Sequence, residues 1–447
     1  MPGVSPARKA AFQILLAVER GQSHSDDLLR GKRVNALSQA DRNLATALVL
    51  GALRWQIQLD HQLQALLARP NARLDPEILI TLRLGAFQLL HMDRIPARAA
   101  IDESVELAKL SGHRFASGMV NAVLRRLATA PRIQPSEETI AELALSQAHP
   151  AWMVERWAHF YGLDAARAIC RHGQGQPALG LRLESPAVEE ELAETGIALQ
   201  PGRLLGSARI VTSGDITLTT AFREGRARLQ DEGSQLVAEI AGRGNAILDC
   251  CAAPGGKTMI LAERNPQSRI VACESSPQRL AQLAQRLSPI GNRVECRLMD
   301  ATALPDDSVY DLVLADAPCS GTGTLGRNPE IRHRLRVEDL PRQAERQQAI
   351  LTAALRGVRP GGRVVYSTCS LEPEENEQVV AAVLTKMPNA RTITMLERIE
   401  ALYNEAILVP SSAEHLRNSI TREGFLRLLP GAFHTDGFFI AVIEKSV

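Results

Sequence analysis

Hydrophobic residues in the first 130 positions recur at the spacing of α-helices. Ala11, Ile14, Leu15 and Val18 fall on one helical face, and Gly21 follows them as a stop signal. Ser38 stands three residues before an acidic residue and just ahead of a long apolar segment, as at a helix N-terminus. No stretch shows the alternation of a strand. The pattern predicts an all-α bundle of six or seven helices as the first domain, residues 1–135.

The pattern changes twice after this bundle. Two prolines and several polar residues interrupt it at 129–139, and helical spacing returns at 139–172. From 177 to 235 short β-like runs such as LGLRL and ARIVT alternate with glycines. Residues 136–235 therefore form a predicted second domain, a small mixed α/β linker module whose topology the pattern does not define.

Apolar strand-like runs alternate with helical segments from residue 236 onward. The predicted strands are Ala246–Asp249, Ile270–Cys273, Val294–Leu298, Leu312–Ala315 and Arg363–Ser367. Such β-α alternation is typical of a parallel, doubly wound sheet. Residues 437–445 predict a final strand, which we expect to run antiparallel at the end of the sheet. Residues 236–447 are the predicted third domain.

Composition and charge exclude some classes and leave others open. The chain has 447 residues, 45% of them hydrophobic and 23% charged, as in an ordinary globular protein, and its net charge is +1. Residues 1–130 hold 17 Lys and Arg against 11 Asp and Glu. This excess fits an anionic partner or merely a solvated face. Charges interrupt the apolar positions of the N-terminal segment, so we expect neither a signal peptide nor a membrane partner.

The cysteines argue for a reducing compartment. They are odd in number, and most lie in or beside apolar runs, so they do not form the framework of a secreted disulfide protein. We expect a cytoplasmic protein. No Cys or His spacing suggests zinc, and we expect no metal. The seven are Cys170, Cys250, Cys251, Cys273, Cys296, Cys319 and Cys369.

A glycine-rich loop follows the first predicted strand of the third domain. In ILDCCAAPGGKT, Gly255 and Gly256 allow close approach of a ligand to the backbone at the start of a helix. The next strand ends at Glu274, where a carboxylate can accept from both ribose hydroxyls, and Asp300 follows the third strand, within reach of an adenine amino group. The G-x-G-x-x-G spacing of dinucleotide binders is absent. We therefore predict S-adenosylmethionine (SAM), against the alternatives of an empty βα turn and of two carboxylates that only cap helices.

Two cysteines follow apolar strands and lie in polar loops. Cys319 stands in DAPCSGTG and Cys369 in STCSL, and the carboxyl ends of parallel strands meet at one crevice. A thiolate that adds to C6 of a pyrimidine makes C5 nucleophilic enough to accept a methyl group. Cys369 is the candidate nucleophile and Cys319 the candidate thiol for elimination. Asp316, if burial raises its pKa, is the candidate for the amino and N3 edge of cytosine, with electrostatic help from Lys257.

Two alternatives remain open for these cysteines. An isolated cysteine is most often a small buried hydrophobe, which suits Cys170, Cys273 and Cys296 better than the two loop cysteines. A redox disulfide between Cys319 and Cys369 is the second alternative, and a cofactor loop beside them disfavours it.

At these residues the chain is similar to a known family. CCAAPGGKT, DAPCSGTG, STCSL with PEENE, and DGFFIA resemble the RNA cytosine-C5 methyltransferases of the Nol1/Nop2/Sun (Fmu) type, in the family's order. Residues 228–240 and 148–157 resemble the RNA-binding region that precedes the family's catalytic domain. The segment from LRLGAFQLLHM to MVNAVLRRL resembles the NusB-type helical RNA-binding domain.

The resemblance implies a fold and a reaction. It implies a NusB-like bundle, the linker module and a Rossmann-like class I SAM-dependent methyltransferase. The implied reaction is C5 methylation of a cytosine in 16S ribosomal RNA, cytosine 967, with free rRNA or a small-subunit assembly intermediate as partner. A tRNA substrate and a non-catalytic RNA-binding assembly factor remain alternatives, and we expect a monomer.

The resemblance also implies roles for individual residues. Cys369 is the nucleophile and Cys319 assists product release, a choice that local chemistry alone leaves open. Glu274 takes the ribose position, where the family commonly has Asp. Asp300 and Asp316 bind cofactor or line the site. The loop that contacts SAM comprises Cys251, Ala252, Ala253, Pro254, Gly255, Gly256 and Lys257.

Arginines are the candidate contacts to RNA phosphates. One group follows the Cys319 loop, where interspersed acidic residues make an exposed, salt-bridged helix the alternative. It comprises Arg327, Arg332, Arg334, Arg336, Arg342 and Arg346. A second group lies in the helical domain and comprises Arg94, Arg98, Arg125 and Arg126.

Overall fold

The computed structural model describes residues 3–69, 73–131 and 136–446. The chain divides into two compact units. Unit 1 comprises residues 1–175 together with 325–334, and unit 2 comprises 176–324 and 335–447. Two compact units do not decide how many domains fold independently, so the three-domain division stays a prediction.

The α-helices are numbered in chain order over the described residues. They are α1 Pro6–Glu19, α2 Ser25–Leu29, α3 Lys32–Asn35, α4 Gln39–Leu66, α5 Pro76–His91, α6 Ala97–Leu110, α7 Ser117–Thr129, α8 Ile140–Ser146, α9 Ala151–Tyr161, α10 Leu163–Gln174, α11 Pro186–Glu194, α12 Thr220–Arg223, α13 Glu232–Ala241, α14 Gly256–Arg264, α15 Pro277–Leu287, α16 Ile331–Arg334, α17 Leu340–Gly357, α18 Glu377–Lys386, α19 Met395–Asn404 and α20 Pro410–Asn418.

The strands are numbered in the same way. They are β1 Leu179–Leu183, β2 Ala198–Pro201, β3 Ala208–Ser213, β4 Ala227–Leu229, β5 Ala246–Asp249, β6 Arg269–Glu274, β7 Val294–Leu298, β8 Tyr310–Asp316, β9 Val358–Thr368, β10 Ala390–Ile393, β11 Leu426–Leu428 and β12 Phe438–Lys445.

Unit 1 is a helical bundle, as the spacing of apolar residues predicts. Over the described part of residues 5–130 the secondary structure is α1 to α7 and one 3-10 helix, Arg114–Ala116. Ser38 caps α4, because its hydroxyl accepts from the Asp41 backbone N–H at 3.2 Å. Leu48, Leu59 and Leu124 are fully buried at the centre of the bundle. The core therefore forms from the helical faces that the sequence marks as apolar.

Residues 177–235, whose topology the sequence pattern left open, contain a small antiparallel sheet. Its strand order is β2-β3-β1-β4, and it lies in unit 2, whereas the helices α8 to α10 of the predicted module 136–235 lie in unit 1. The runs LGLRL and ARIVT are β1 and the first five residues of β3. The fold class thus combines a helical bundle, a small mixed module and a larger α/β sheet, as predicted.

The larger sheet of unit 2 has the path β10-β12-β9-β8-β5-β6-β7, with β11 paired to β12. Strands β5 to β9 are parallel. Along β8, Leu312 and Leu314 belong to one hydrophobic core, and Val313 and Ala315 belong to another. Because both faces of the sheet are covered, its central strands are continuous apolar runs.

The final strand corrects one expectation. β12 pairs antiparallel with β9, as expected, but it does not end the sheet, because β10 pairs with its other side. β10 has only four residues and a mixture of polar and apolar side chains. Such a short edge strand gives no recognisable periodicity.

Arg332 is a second correction, because it is not a phosphate-binding residue on the surface. It is 3% exposed, and within unit 1 its guanidinium donates to the carbonyl oxygens of Arg54 at 2.7 Å, Ala148 at 3.3 Å and Gly173 at 2.7 Å. Arg334 likewise donates to the carbonyl oxygen of Ser23 at 2.6 Å. Residues 325–334 are thus fastened into unit 1 by arginines that the sequence pattern shows only as positive charge.

No helix among residues 3–69, 73–131 and 136–446 is both long enough and apolar enough to span a bilayer.

Replacing Arg332 should destabilise unit 1. Arg332→Leu removes the donors to three carbonyl oxygens, and we expect the free energy of unfolding to fall by about 2–4 kcal/mol. The three tryptophans, Trp55, Trp152 and Trp157, all belong to unit 1, so urea unfolding followed by tryptophan fluorescence measures this change. Arg346→Leu, at an exposed position, should change the free energy of unfolding by less than about 0.5 kcal/mol. Equal effects of the two substitutions would contradict the structural role of Arg332.

Candidate active site

Strand order fixes where a ligand binds in unit 2. From β5 the chain moves outward through β6 to β7 and then returns to β8, on the other side of β5. The order therefore reverses between β5 and β8. Ligands of open α/β sheets bind at such a reversal, outside the carboxyl ends of the strands.

The glycine-rich loop leaves β5 at this point and enters α14. Gly255 precedes α14 with φ +101°, a left-handed conformation that favours glycine, and a Cβ there would lie 2.9 Å from Leu283 Cδ1. The first N–H groups of α14 have no partner within the helix, as at any helix start. The loop therefore brings backbone donors to the reversal point.

A cleft of about 230 Å³ runs along the carboxyl ends of these strands. Most of the predicted site residues line it: Cys251, Ala253, Glu274, Asp300, Asp316, Cys319 and Cys369. A second cavity of about 100 Å³ shares Cys251, Ala253 and Asp316 with it and is also lined by Ala252, Pro254, Gly256 and Lys257. Gly255 lines neither cavity. The structure thus gathers residues from four separate strand ends around one continuous loop.

The two acidic residues proposed for the cofactor have different local contacts. Glu274 is 5% exposed; its Oε1 accepts from the Ser276 N–H at 2.9 Å, and Oε2 lies 3.4 Å from an Arg279 nitrogen. Asp300 is exposed, and its Oδ1 accepts from the backbone N–H and hydroxyl of Thr302, both at 2.9 Å. Asp300 is therefore a helix cap as well as a cleft residue, whereas the cap of α15 is Ser276.

Asp316 and Lys257 form a half-buried ion pair in the cleft. Lys257 Nζ lies 2.7 Å from Asp316 Oδ2, and the Ser367 hydroxyl donates to Asp316 Oδ1 at 2.7 Å. Burial opposes the charge on Lys257, but the Asp316 carboxylate outweighs it and raises the pKa of Lys257 above its ordinary value. Lys257 Nζ also lies 5.6 Å from the centre of the Phe438 ring. The lysine is therefore a fixed positive charge at the cleft.

The two loop cysteines meet. Cys319 Sγ and Cys369 Sγ are 3.4 Å apart, and both residues are partly exposed to the cleft. Over the described residues, all seven cysteines are free thiols. The hydrogen bond with Cys369 and burial together raise the pKa of Cys319 well above its ordinary value. Cys319 is therefore protonated at neutral pH.

The loops after β8 and β9 are tied together below the sulfurs. Gly323 N–H donates to the Cys369 carbonyl oxygen at 2.8 Å, and Gly437 N–H donates to the Gly323 carbonyl oxygen at 2.8 Å. A Cβ on Gly323 would lie 2.6 Å from the Gly437 oxygen, so only glycine fits there. Gly323 of GTG and Gly437 of DGFF are thus required for the packing of the cysteine loops.

Several residues at the site were missed by the sequence analysis. Arg279, Met299 and Ile350 line the larger cleft, and Gln230 lines the smaller cavity. Glu375, in PEENE, lies buried behind the cysteines and accepts hydrogen bonds from residues of both loops. The PEENE motif is the sequence signal that marked Glu375. Of the six arginines around residues 326–347, Arg346 lines the cleft.

Asp249, at the end of β5, is a buried carboxylate of the smaller cavity. It is 1% exposed, and the Thr258 hydroxyl donates to Oδ2 at 2.7 Å. Oδ1 is buried and, among the described residues, accepts no well-aligned hydrogen bond. Burial above all, with a contribution from Asp316, raises the pKa of Asp249 to about 7.

Asp249 should make stability depend on pH. Its folded-state pKa is raised, so the stability that it contributes is present below pH 4 and is lost as the pH rises to about 7. Between pH 4 and 7 the free energy of unfolding of the native protein should fall relative to Asp249→Asn by up to about 4 kcal/mol, measured by urea titrations. Asp300→Asn is the control, because hydrogen bonds from Thr302 lower the pKa of Asp300. If the free energies of unfolding of the native protein and Asp249→Asn differ by the same amount at every pH in this range, the pKa of Asp249 is not raised.

Comparison with known proteins identifies the same two parts. The model of the family described as 16S rRNA methyltransferase RsmB/F matches residues 241–444, and the NusB family model matches residues 5–129. The probable ribosomal RNA small subunit methyltransferase B of Bacillus subtilis (strain 168) is 32% identical, with 98% of each chain covered. The ribosomal RNA small subunit methyltransferase B of Escherichia coli O17:K52:H18 is 31% identical at the same coverage.

A solved structure agrees in fold. The crystal structure of PH0851 superposes with a TM-score of 0.79 and 24% identity, covering 99% of this chain and 100% of that one. The resemblance drawn from the motifs is therefore confirmed, both for the NusB-like bundle and for the catalytic part. This chain belongs to the RsmB/F family of SAM-dependent methyltransferases that act on small-subunit ribosomal RNA.

Proposed function

We propose that this protein methylates C5 of a cytosine in 16S rRNA, cytosine 967, through a covalent bond between Cys369 and C6 of the base. The observation that carries the proposal is the pair of thiols, 3.4 Å apart, in a cleft that also contains the Lys257–Asp316 ion pair. Methylation of nitrogen or of a ribose hydroxyl needs no cysteine. Two adjacent thiols suit carbon methylation of an electron-poor ring, which requires a nucleophile and a second group for its removal.

The steps follow from the two thiols. The Cys369 thiolate adds to C6, and the electron pair of the C5–C6 double bond makes C5 nucleophilic. Bound SAM supplies the methyl group as an electrophile. The Cys319 sulfur then takes the C5 proton as its own proton passes to the departing Cys369 thiolate, the double bond re-forms, and the bond between Cys369 and C6 breaks. The raised pKa of Cys319 keeps a proton beside Cys369, which suits protonation of the departing thiolate and release of the product.

Lys257 and Asp316 are placed to bind the cytosine edge. The Asp316 carboxylate can accept from the exocyclic amino group, and Lys257, with its raised pKa, holds a positive charge where the ring accumulates negative charge. The proton at this edge, which the sequence pattern assigned to Asp316, can also come from the charged Lys257 beside it. Ser367 orients the carboxylate from the neighbouring strand.

The residues around the loop fit SAM. Glu274 is buried and lines the cleft, where its carboxylate can accept from ribose hydroxyls, and Asp300 lies at the adjacent strand end. Asp249 offers a buried oxygen without a well-aligned donor, which suits a cationic amino group. Backbone N–H groups at the start of α14 suit the carboxylate of an amino acid. The loop from Cys251 to Lys257 would hold the cofactor between these carboxylates.

The target base can enter this cleft only after it has left its stack in the RNA. Arg346 lines the cleft and is exposed, so it is our candidate for a phosphate near the target nucleotide. Arg94, Arg98, Arg125 and Arg126 are exposed in unit 1 and remain candidates for contacts farther along the RNA. The paired thiols must stay reduced, so we place the activity in a reducing cytoplasm.

Substitution of the two cysteines should have opposite effects on trapped RNA. Cys319→Ala should accumulate an RNA–protein adduct that survives denaturing electrophoresis, because the bond to Cys369 forms but is not released. Cys369→Ala should form none and lose methyl transfer by about 10³-fold or more. Cys296→Ala, on β7 away from the cleft residues, should behave as the native protein. An adduct in Cys369→Ala but not in Cys319→Ala would reverse the assignment.

Glu274 should matter for SAM binding. Glu274→Ala removes a charged acceptor for two hydroxyls, and we expect the Kd for SAM, measured by calorimetry, to rise by about 10–100-fold. Glu295→Ala, an exposed carboxylate on β7, should leave the Kd unchanged. Unchanged affinity in Glu274→Ala would remove Glu274 from the cofactor site.

Bisulfite sequencing of RNA from cells with and without the protein tests the substrate. We expect loss of one 5-methylcytosine in 16S rRNA when the protein is absent. Loss confined to tRNA, or no loss at all, would refute the proposal.

A further inference from the structure

A buried carboxylate that the proposed chemistry does not use lies directly behind the two cysteines. Glu375 is 0% exposed and ends the helical turn Pro373–Glu375, which follows the Cys369 loop. It lines neither cavity, so it does not touch a ligand there. A buried carboxylate is costly unless hydrogen bonds compensate for its lost hydration.

The hydrogen bonds of Glu375 come from the residue after each cysteine. Its Oε1 accepts from the Ser320 backbone N–H at 2.8 Å, and Oε2 accepts from the hydroxyls of Ser320 and Ser370. Ser320 follows Cys319 and Ser370 follows Cys369. The two hydroxyls are themselves 3.0 Å apart. One carboxylate therefore ties both cysteine loops at equivalent positions.

Two further contacts fix the carboxylate itself. Gln347, fully buried on α17, donates to Glu375 Oε1 and to the Pro318 carbonyl oxygen, both at 2.9 Å. The Tyr366 hydroxyl donates to the backbone carbonyl oxygen of Glu375 at 2.6 Å. Contacts from Tyr366 on β9 and Gln347 on α17 therefore fix Glu375, which in turn binds the two cysteine loops.

The donors to Glu375 are neutral. They are one backbone N–H, one amide and two hydroxyls, and no Lys or Arg of the described residues forms an ion pair with it. Such a network fixes the orientation of the donor groups, because each donor must point at one of the two carboxylate oxygens. Hydroxyl groups can also accept, so a glutamine at this position could keep the network with the two serines reoriented.

We propose that Glu375 is a positioning residue that clamps the Cys319 and Cys369 loops and so keeps the two sulfurs within reach of each other. Its catalytic consequence rests on the proposed function, whereas its effect on the distance between the sulfurs does not. A shift of about 1 Å in reacting groups can cost about 100-fold in rate, so a clamp with this geometry would limit turnover.

Oxidative crosslinking measures the distance between the sulfurs without any RNA. Diamide takes two electrons and two protons from the Cys319 and Cys369 thiols and leaves a disulfide between them, which peptide mapping identifies. We expect Glu375→Ala to slow this crosslink by about 10-fold or more and Glu375→Gln to stay within about threefold of the native rate, because only the first variant releases both loops. Crosslinking at the native rate in Glu375→Ala would overturn the proposal.

Single-turnover methyl transfer gives the catalytic readout. Glu375→Ala should lower its rate by about 100-fold at saturating RNA and SAM with both Kd values unchanged, and Glu375→Gln should restore most of it. A rise in either Kd with an unchanged rate would also overturn the proposal. If Glu375→Ala does not fold, the Ser320→Ala/Ser370→Ala protein replaces it, with slower crosslinking again the expected result.

Glu232 provides the matched control. It is another buried carboxylate of unit 2, and it accepts from the backbone N–H groups of Arg203, Leu204 and Leu205 at 2.9, 2.6 and 2.7 Å. Glu232→Ala should lower stability and leave crosslinking unchanged; a slower crosslink there would show that general loosening accounts for the effect. If crosslinking depends on Glu375 but Cys319→Ala traps no RNA and the native protein transfers no methyl group, the proposed function fails and the clamp stands.

Discussion

The register between β8 and β9 is the constraint on which the site depends. Asp316 pairs with Ser367 across the two parallel strands, so the loops that follow β8 and β9 begin at nearly the same level of the sheet. Cys319 and Cys369 follow Asp316 and Ser367 by three and two residues. This near-equal spacing brings two sulfurs from positions 50 residues apart in the sequence to a separation of 3.4 Å. A shift of one residue in register would turn Asp316 and Ser367 to opposite faces and separate the thiols.

Burial then gives chemically similar groups different properties. The partly buried ion pair of Lys257 and Asp316 keeps a positive charge in the cleft, while Asp249, buried with a single well-formed hydrogen bond, has a pKa of about 7. The raised pKa of Cys319 makes it a proton carrier beside a second thiol. Burial of Asp249, and the hydrogen bond and burial of Cys319, therefore give these two groups properties that residue type alone does not set.

Much of the polar sequence near the active loop has a structural use. Arg332 and Arg334 fasten residues 325–334 into unit 1, and Glu375, Gln347 and the two serines fasten the cysteine loops in unit 2. Buried polar groups of this kind must be satisfied by specific partners, so they fix one arrangement of the loops. The proposed catalytic groups are few, and they are supported by a larger set of residues that meet neither cofactor nor RNA.

Patterns in the sequence were enough to predict the helical bundle, the strands β5 to β9 and the family, which its motifs indicate. Those features depend on local periodicity or on a few adjacent residues, such as the strand Ala246–Asp249 and the glycine pair after it. Only the tertiary structure decided that Arg332 is buried, that β12 lies inside the sheet with β10 at its edge, and that Glu375 joins two loops. Each of these depends on partners far along the chain, and a side chain's charge or apolar character does not state which distant groups will surround it.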